Sequence, residues 1–313
     1  MHQELHRAPW KTWLAFAAIY FLWGSTFLAI RVGVLEVPPL VLAAMRFFLA
    51  GLILCGWVLA RGERSPTARQ WASVCLLALM IFVIDYGLVF WAEQRVPSGI
   101  AAIMMATIPV FTALAEILLL QTQKLTLRLV VALAIGLAGV AVLVSRSLYL
   151  GGAPIDRPGA AALLIASISW SFSSSLTRKL PLPISKILSS GAQMLVGGVM
   201  LAVVAAALGE FRGFHPSTVS RAAWFSLAYM IVAGSIVAFT AYVWLIHRES
   251  PTKVGTYAYV NPVVAVLVGY FLGGESLGRR TLLGILLVLI SVLVIRTNGL
   301  KKQPATISVE DTA

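Results

Sequence analysis

Arg46 and Asp85 stand where charge is costly, because each falls inside a long apolar run. Charged side chains in hydrocarbon are normally paired, line a water-filled path or exchange a proton. Arg46 lies about eight residues from one end of its run, and Asp85 about seven from the end of the next run that faces the same side, which sets them at similar depth. Two chemistries stand open. Arg46 and Asp85 can form a structural ion pair, or Asp85 can take up and release a proton during a transport cycle.

A second group combines proline, aromatic and hydroxyl side chains. Pro109 and Pro262 each remove an N–H and free a carbonyl one turn back, near Met105 and Ala258. Broken helices at matching depth mark a substrate site in many carriers; otherwise they are kinks that shape packing. Around Pro262 the run TYAYVNP adds Thr256, Tyr257, Tyr259 and Asn261, too polar for a lipid face. Trp23-Gly24-Ser25-Thr26 and Trp170-Ser171-Phe172-Ser173-Ser174-Ser175 each put an aromatic beside small hydroxyl residues, suited to close helix packing or to lining a cavity. Tyr86, Trp91, Tyr242 and Trp244 carry the same two readings, with Trp91 and Trp244 near enough to span ends to be interfacial anchors. Glu116 and His247 at inner span ends are expected to snorkel, and Glu275 to begin a turn.

The elements that hold these residues follow from composition. Of 313 residues 59% are hydrophobic and 12% charged, with a mean hydropathy of +0.91. Apolar runs recur whose length, at about 1.5 Å rise per residue, crosses roughly 30 Å of hydrocarbon. They predict ten spans, at 13–33, 38–60, 71–92, 98–120, 126–145, 158–178, 184–208, 222–246, 252–273 and 279–297. The first is too long for the apolar core of a signal peptide and lacks a small-residue cleavage site, so it is expected to remain as the first helix of a mature chain starting at Met1. The intervening segments are short and rich in Pro and Gly, which leaves no room for a soluble domain between spans.

A net charge of +12 suggests nucleic acid as a partner, but the cations are scattered through short loops and not gathered on one face. They carry topology. With the N-terminus inside, fifteen of the 24 Lys and Arg fall on inner segments and eight on outer ones, Arg46 lying within a span. That bias places both termini in the cytoplasm. Cys55 and Cys75 sit inside apolar runs, where a thiol packs as a small hydrophobe. HExxH and Walker loops are missing, as are His and carboxylate clusters with ligand spacing, so no catalytic residue, metal or cofactor is expected and ATP does not drive this chain alone.

The chain repeats itself. An offset of 153 sets Trp71 on Trp224, Ser73 on Ser226, Trp91 on Trp244, Arg95 on Arg248 and Pro109 on Pro262; an offset of 147 sets Trp23 on Trp170 and Arg31 on Arg178. Five helices are thus duplicated, and an odd number forces the second copy to enter from the opposite side, giving an inverted repeat of 13–145 and 158–297 followed by a cytoplasmic tail, 298–313. Gln193 and Ala238 replace Arg46 and Asp85 in the second copy; both charges vanish together, as a pair would require.

These residues resemble the EamA-type branch of the drug/metabolite transporter superfamily. The matching stretches are WGSTFLAIRVG at 23–33, PPLVLAAMRFFLAG at 38–51 and NPVVAVLVGYFLGGESLGRRTLLGILLVLISVLVI at 261–295. The last is the most specific, although Ile108 stands where the second half has Asn261. The resemblance implies an all-α integral membrane protein of the bacterial inner membrane that exports amino acids or related metabolites. It implies a cavity walled by helices 1, 3, 4, 6, 8 and 9, with helices 5 and 10 free for homodimer contacts. Carried over by position, the candidate cavity residues are Trp23, Ser25, Thr26, Tyr86, Pro109, Trp170, Tyr242, Tyr257, Asn261 and Pro262.

The expected partners are a small-molecule substrate and the lipid bilayer. An interior with few fixed charges suits small neutral or zwitterionic solutes and not nucleotide sugars. The alternative is a flippase for lipids or lipid-linked sugars, and a receptor or scaffold is disfavoured by the short loops.

Overall fold

The computed structural model describes residues 9–96, 101, 104–149, 156–273 and 278–297. The 298–313 tail, Glu275 with its turn, and parts of the predicted 98–120 span lie outside the described residues. Among the described residues the chain is helical, with no strand. The principal helices are α1 (Pro9–Val34), α2 (Pro39–Ala60), α3 (Ala68–Ala92), α4 (Ile108–Leu120), α5 (Leu127–Tyr149), α6 (Arg157–Leu176), α7 (Lys186–Ala207), α8 (Arg221–Ile246), α9 (Tyr257–Gly273) and α10 (Arg279–Thr297). Six of them, α1 to α3 and α6 to α8, are long and apolar enough to cross a membrane; the described apolar parts of α4, α5 and α10 are shorter.

Their starts are written locally. Thr67 and Gln70 form a capping box on α3, Asp156 caps α6 through Gly159 N at 2.8 Å, and Ser185 and Ser220 cap α7 and α8. Pro39 and Pro158 occupy first-turn positions, where the missing N–H costs nothing. Between the α1–α2 and α7–α8 loops, Ser220 donates its backbone N–H and its hydroxyl to Glu36 at 2.6 and 2.7 Å. These bonds hold the exposed Glu36 carboxyl below its ordinary range. Glu210 in turn accepts from Leu40 N at 2.9 Å, satisfying a free donor at the start of α2.

Besides Glu116–Leu120 at the end of α4, two helices carry π-helical stretches, Leu79–Tyr86 in α3 and Met230–Phe239 in α8. They overlap when displaced by the 153-residue offset of the sequence repeat. An i→i+5 ladder widens the turn and rotates every side chain beyond it relative to an ideal α-helix.

The neighbours exchange between halves. α1 packs on α8 and α9, while α6 packs on α3 and α4; α2 lies along α7, and α5 along α10. Glycine sets the closest approach. A methyl at Gly51 would meet the backbone of Leu195 and of Gly191, and one at Gly198 the backbone of Phe48, so α2 and α7 touch main chain to main chain. On the other seam, Gly139 leaves room for Val288, and Gly136 for Tyr259 and Ser291. Leu28, Ile53, Val203, Phe225, Leu286 and Leu293 point outward and are exposed, the surface a lipid environment accepts.

Candidate substrate cavity

A cavity of about 130 Å³ opens between the halves, lined by Trp23, Thr26 and Ile30 of α1, Asp85, Tyr86 and Val89 of α3, Met105, Ile108, Trp170 of α6, and Tyr257, Ala258, Asn261 and Pro262 of α9. Breaks in the helices place these groups. The chain turns at Ala106 and Thr107 before α4, so Pro109 stands in a first turn, where proline fits; the second break falls at Thr256, between a short helical segment at Pro251–Gly255 and α9. Pro262 lies inside α9. Met105 and Ala258, each one turn before its proline, both reach the cavity wall.

Four aromatic rings pack together at the cavity. Trp23 lies 4.7 Å from Tyr257, 5.3 Å from Tyr242 and 5.4 Å from Trp170, centroid to centroid, and Trp170 lies 5.0 Å from Tyr242. Tilted and edge-on pairs of this kind favour a fixed arrangement over a fluid one. The cluster is pinned by hydrogen bonds: Trp23 Nε1 donates to the Gly234 carbonyl at 3.0 Å, the Tyr242 and Ser174 hydroxyls share a short hydrogen bond, and Tyr20 bonds Thr256 at 2.7 Å.

Seven of the ten sequence-predicted cavity residues line the space: Trp23, Thr26, Tyr86, Trp170, Tyr257, Asn261 and Pro262. Three do not. Ser25 turns to the Tyr229 hydroxyl at 2.6 Å, Pro109 is buried beside Gly255, and Tyr242 stands behind the wall in the ring cluster. Sequence reading missed Ile30, Val89, Met105, Ile108 and Ala258 as lining side chains, because an apolar residue in an apolar span carries no signal of its own.

The expected Arg46–Asp85 ion pair is not formed. Arg46 Nε donates to Ser235 Oγ at 2.9 Å, and the guanidinium lies 4.7 Å from the Phe47 ring and 5.3 Å from the Tyr86 ring. Ser235 belongs to the π-helical stretch of α8, so the partner comes from the other half and the rings stand where Asp85 was expected. Asp85 is 2% exposed, faces the cavity, and has no hydrogen-bond partner at Oδ1 among the described residues. Asn261 Oδ1 is likewise buried without a partner in the same wall.

Glu93, just past the C-terminal end of α3 and one turn beyond Val89, is buried to 2% exposure. Burial pushes its carboxyl up to about 7 while the Arg31 charge pulls the other way. Arg31 donates to the Glu93 backbone carbonyl at 3.2 Å.

Glu116 does not snorkel. It is 1% exposed and accepts from Thr252 N at 3.0 Å, Thr252 Oγ1 at 2.7 Å and Thr122 Oγ1 at 3.1 Å. His247 is half-buried, its Nδ1 2.7 Å from the Val243 carbonyl. Burial holds it below its ordinary range, with the Val243 carbonyl working against that and the Lys186 and Arg178 charges adding to it. Trp91 and Trp244 face cations in matching pairs, Arg95 at 4.4 Å and Arg248 at 4.1 Å from the ring centroids.

The EamA-like transporter family matches this chain twice, over residues 10–145 and 157–297. The Escherichia coli (strain K12) protein named "Uncharacterized inner membrane transporter YedA" is 39% identical over 284 residues, covering 90% of this chain and 89% of its own. Protein PecM of Dickeya dadantii is 25% identical over 277 residues, covering 88% and 89%. A solved crystal structure superposes with a TM-score of 0.72 at 23% identity, covering 91% of this chain and 96% of that one, a likeness of fold.

Proposed function

The chain belongs to the EamA-like transporter family and is a membrane transporter, and from that premise we propose that it is a secondary exporter of amino acids or related small metabolites working by alternating access. It is a multi-pass protein of the inner membrane, the location carried by the name of its Escherichia coli relative. The observation that carries the mechanism is a cavity lined by both halves, with the Trp23, Trp170, Tyr242 and Tyr257 rings packed together beside it.

The topology proposed is ten spans in two inverted five-helix repeats, with both termini in the cytoplasm. Support comes from the double family match, the exchange of helix neighbours between halves, and the excess of Lys and Arg on inner segments. In that orientation Ile30 and Val89 lie toward the outer face, and the ring cluster with the Glu116–Thr252 contact closes the inner side. The conformation is then outward-open, and export requires the rings to part from below.

Asp85 is the proposed coupling group. A buried carboxylate without a partner is costly, and a proton taken up from the outer face relieves that cost. The test is flux of a labelled amino-acid and metabolite panel in proteoliposomes, with and without a pH gradient, for wild type and Asp85→Asn. Saturable flux accelerated by the gradient and uncoupled by the substitution is expected. Saturable flux indifferent to the gradient in both proteins would remove Asp85 from the coupling path, and no flux of any solute would overturn the exporter.

A further inference from the structure

The cavity wall is unbalanced in its hydrogen-bonding groups. Two acceptors, Asp85 Oδ1 and Asn261 Oδ1, are buried in it with no partner among the described residues. Two of its donors are already committed to backbone carbonyls: Trp23 Nε1 to Gly234 at 3.0 Å and Thr26 Oγ1 to Trp23 at 2.8 Å. No Lys, Arg or His stands among the described lining residues. Arg46 stands behind Tyr86, outside the lining, its Nε given to Ser235 and its Nη1 buried without a partner among the described residues. What is missing from the wall is therefore a positive group with N–H donors.

The remaining lining fits the same requirement. Trp23, Tyr86, Trp170 and Tyr257 bring four aromatic rings to the space, with Tyr86 and Trp170 5.9 Å apart and Trp23 and Tyr257 4.7 Å apart. Aromatic faces attract cations through their quadrupole and pack well against apolar bodies. Ile30, Val89, Ile108 and Pro262 extend the apolar surface. A carboxylate would instead approach Asp85 with no lining cation to offset the repulsion.

We propose that the cavity recognises a protonated organic amine, its ammonium bonded to Asp85 and Asn261 and its apolar or aromatic body against the Trp23, Tyr86, Trp170 and Tyr257 rings. This rests on the transport reading above and narrows its substrates from amino acids to amines without a carboxylate. Bound amine and bound proton would compete for one carboxylate.

Binding can be read without flux, through the intrinsic tryptophan fluorescence of the purified full chain in detergent. The probes are 2-phenylethylammonium, its neutral isostere 2-phenylethanol and the anion 3-phenylpropionate, titrated at one pH. The ammonium is expected to saturate with a Kd at least tenfold below that of the alcohol, with the anion weaker still. Asp85→Asn should erase the preference, with the variant's circular dichroism reporting that it is folded. An alcohol or anion that binds as tightly as the ammonium in wild type, or an ammonium that does not saturate, would overturn the proposal, and neither result depends on a variant. A preference unchanged in Asp85→Asn would also overturn it. A clear amine preference with no flux of any solute in proteoliposomes would overturn transport and leave the site; flux of neutral solutes without amine preference would do the reverse.

Discussion

Glu116 near the end of α4 receives both the backbone N–H and the hydroxyl of Thr252, at 3.0 and 2.7 Å, and so ties the first half of the chain to the segment that leads into α9. Glu116→Ala leaves Thr252 N, a buried donor at the start of the Pro251–Gly255 segment, without a partner. An orphaned buried donor costs about 1–3 kcal/mol. Thermal unfolding of the purified variant should show a loss of that size, and Glu116→Gln, which keeps one acceptor oxygen, a smaller one. Equal melting of wild type and Glu116→Ala would mean the contact contributes nothing net.

Gly51 and Gly198 make a second prediction, because the backbone of the opposite helix stands where their Cβ would be. Backbone cannot swing aside as a side chain can, so Gly51→Ala should force α2 and α7 apart. Overpacking costs roughly 1–3 kcal/mol. Gly56→Ala, with open space around it, is the control and should melt at or slightly above wild type, Ala being the better helix former. If Gly51→Ala melts with the control, α2 and α7 do not touch main chain to main chain.

These cases show what could be read in the residues alone. The family resemblance was legible: Trp23, Tyr86, Trp170, Tyr257 and Asn261, carried over from it by position, line one cavity. Direction around the helix was not. The π-helical stretches Leu79–Tyr86 and Met230–Phe239 break the 3.6-residue phase, so Asp85 turns to the cavity and Ser235 turns to Arg46, although the charge pattern favoured an ion pair. The Glu116 contact was hidden for a different reason: its partner lies 136 residues away, and nothing in a carboxylate near a span end distinguishes a buried acceptor from a snorkelling one.

Trp23 tests whether the ring cluster depends on packing or on its hydrogen bond. Trp23→Ala removes a ring in contact with Trp170, Tyr242 and Tyr257 and should cost about 3–5 kcal/mol of stability. Trp23→Phe keeps an aromatic ring but loses the donor to the Gly234 carbonyl and some buried volume, so a smaller loss, roughly 1–3 kcal/mol, is expected. Comparable destabilisation by the two would assign the role to the hydrogen bond.

Glu93 gives the pH prediction. Its carboxyl, outside α3 and buried, is pushed up to about 7 by burial, with the Arg31 charge opposing. The folded state therefore holds its proton more tightly than the unfolded chain does. Stability rises with pH only where the unfolded state binds more protons, and here the folded state binds more. The Glu93 contribution should be fully present below the ordinary Glu range, fall as pH rises from there to about 7, and level off above. Glu93→Gln removes that slope, so the melting temperatures of wild type and variant should diverge between pH 5 and 7, to the disadvantage of wild type at the upper end. Arg31→Gln removes the opposing charge and should steepen the wild-type fall. Parallel melting curves for wild type and Glu93→Gln across this range would show that Glu93 titrates alike in the folded and unfolded chain, and that its burial is relieved by water reaching the C-terminal end of α3.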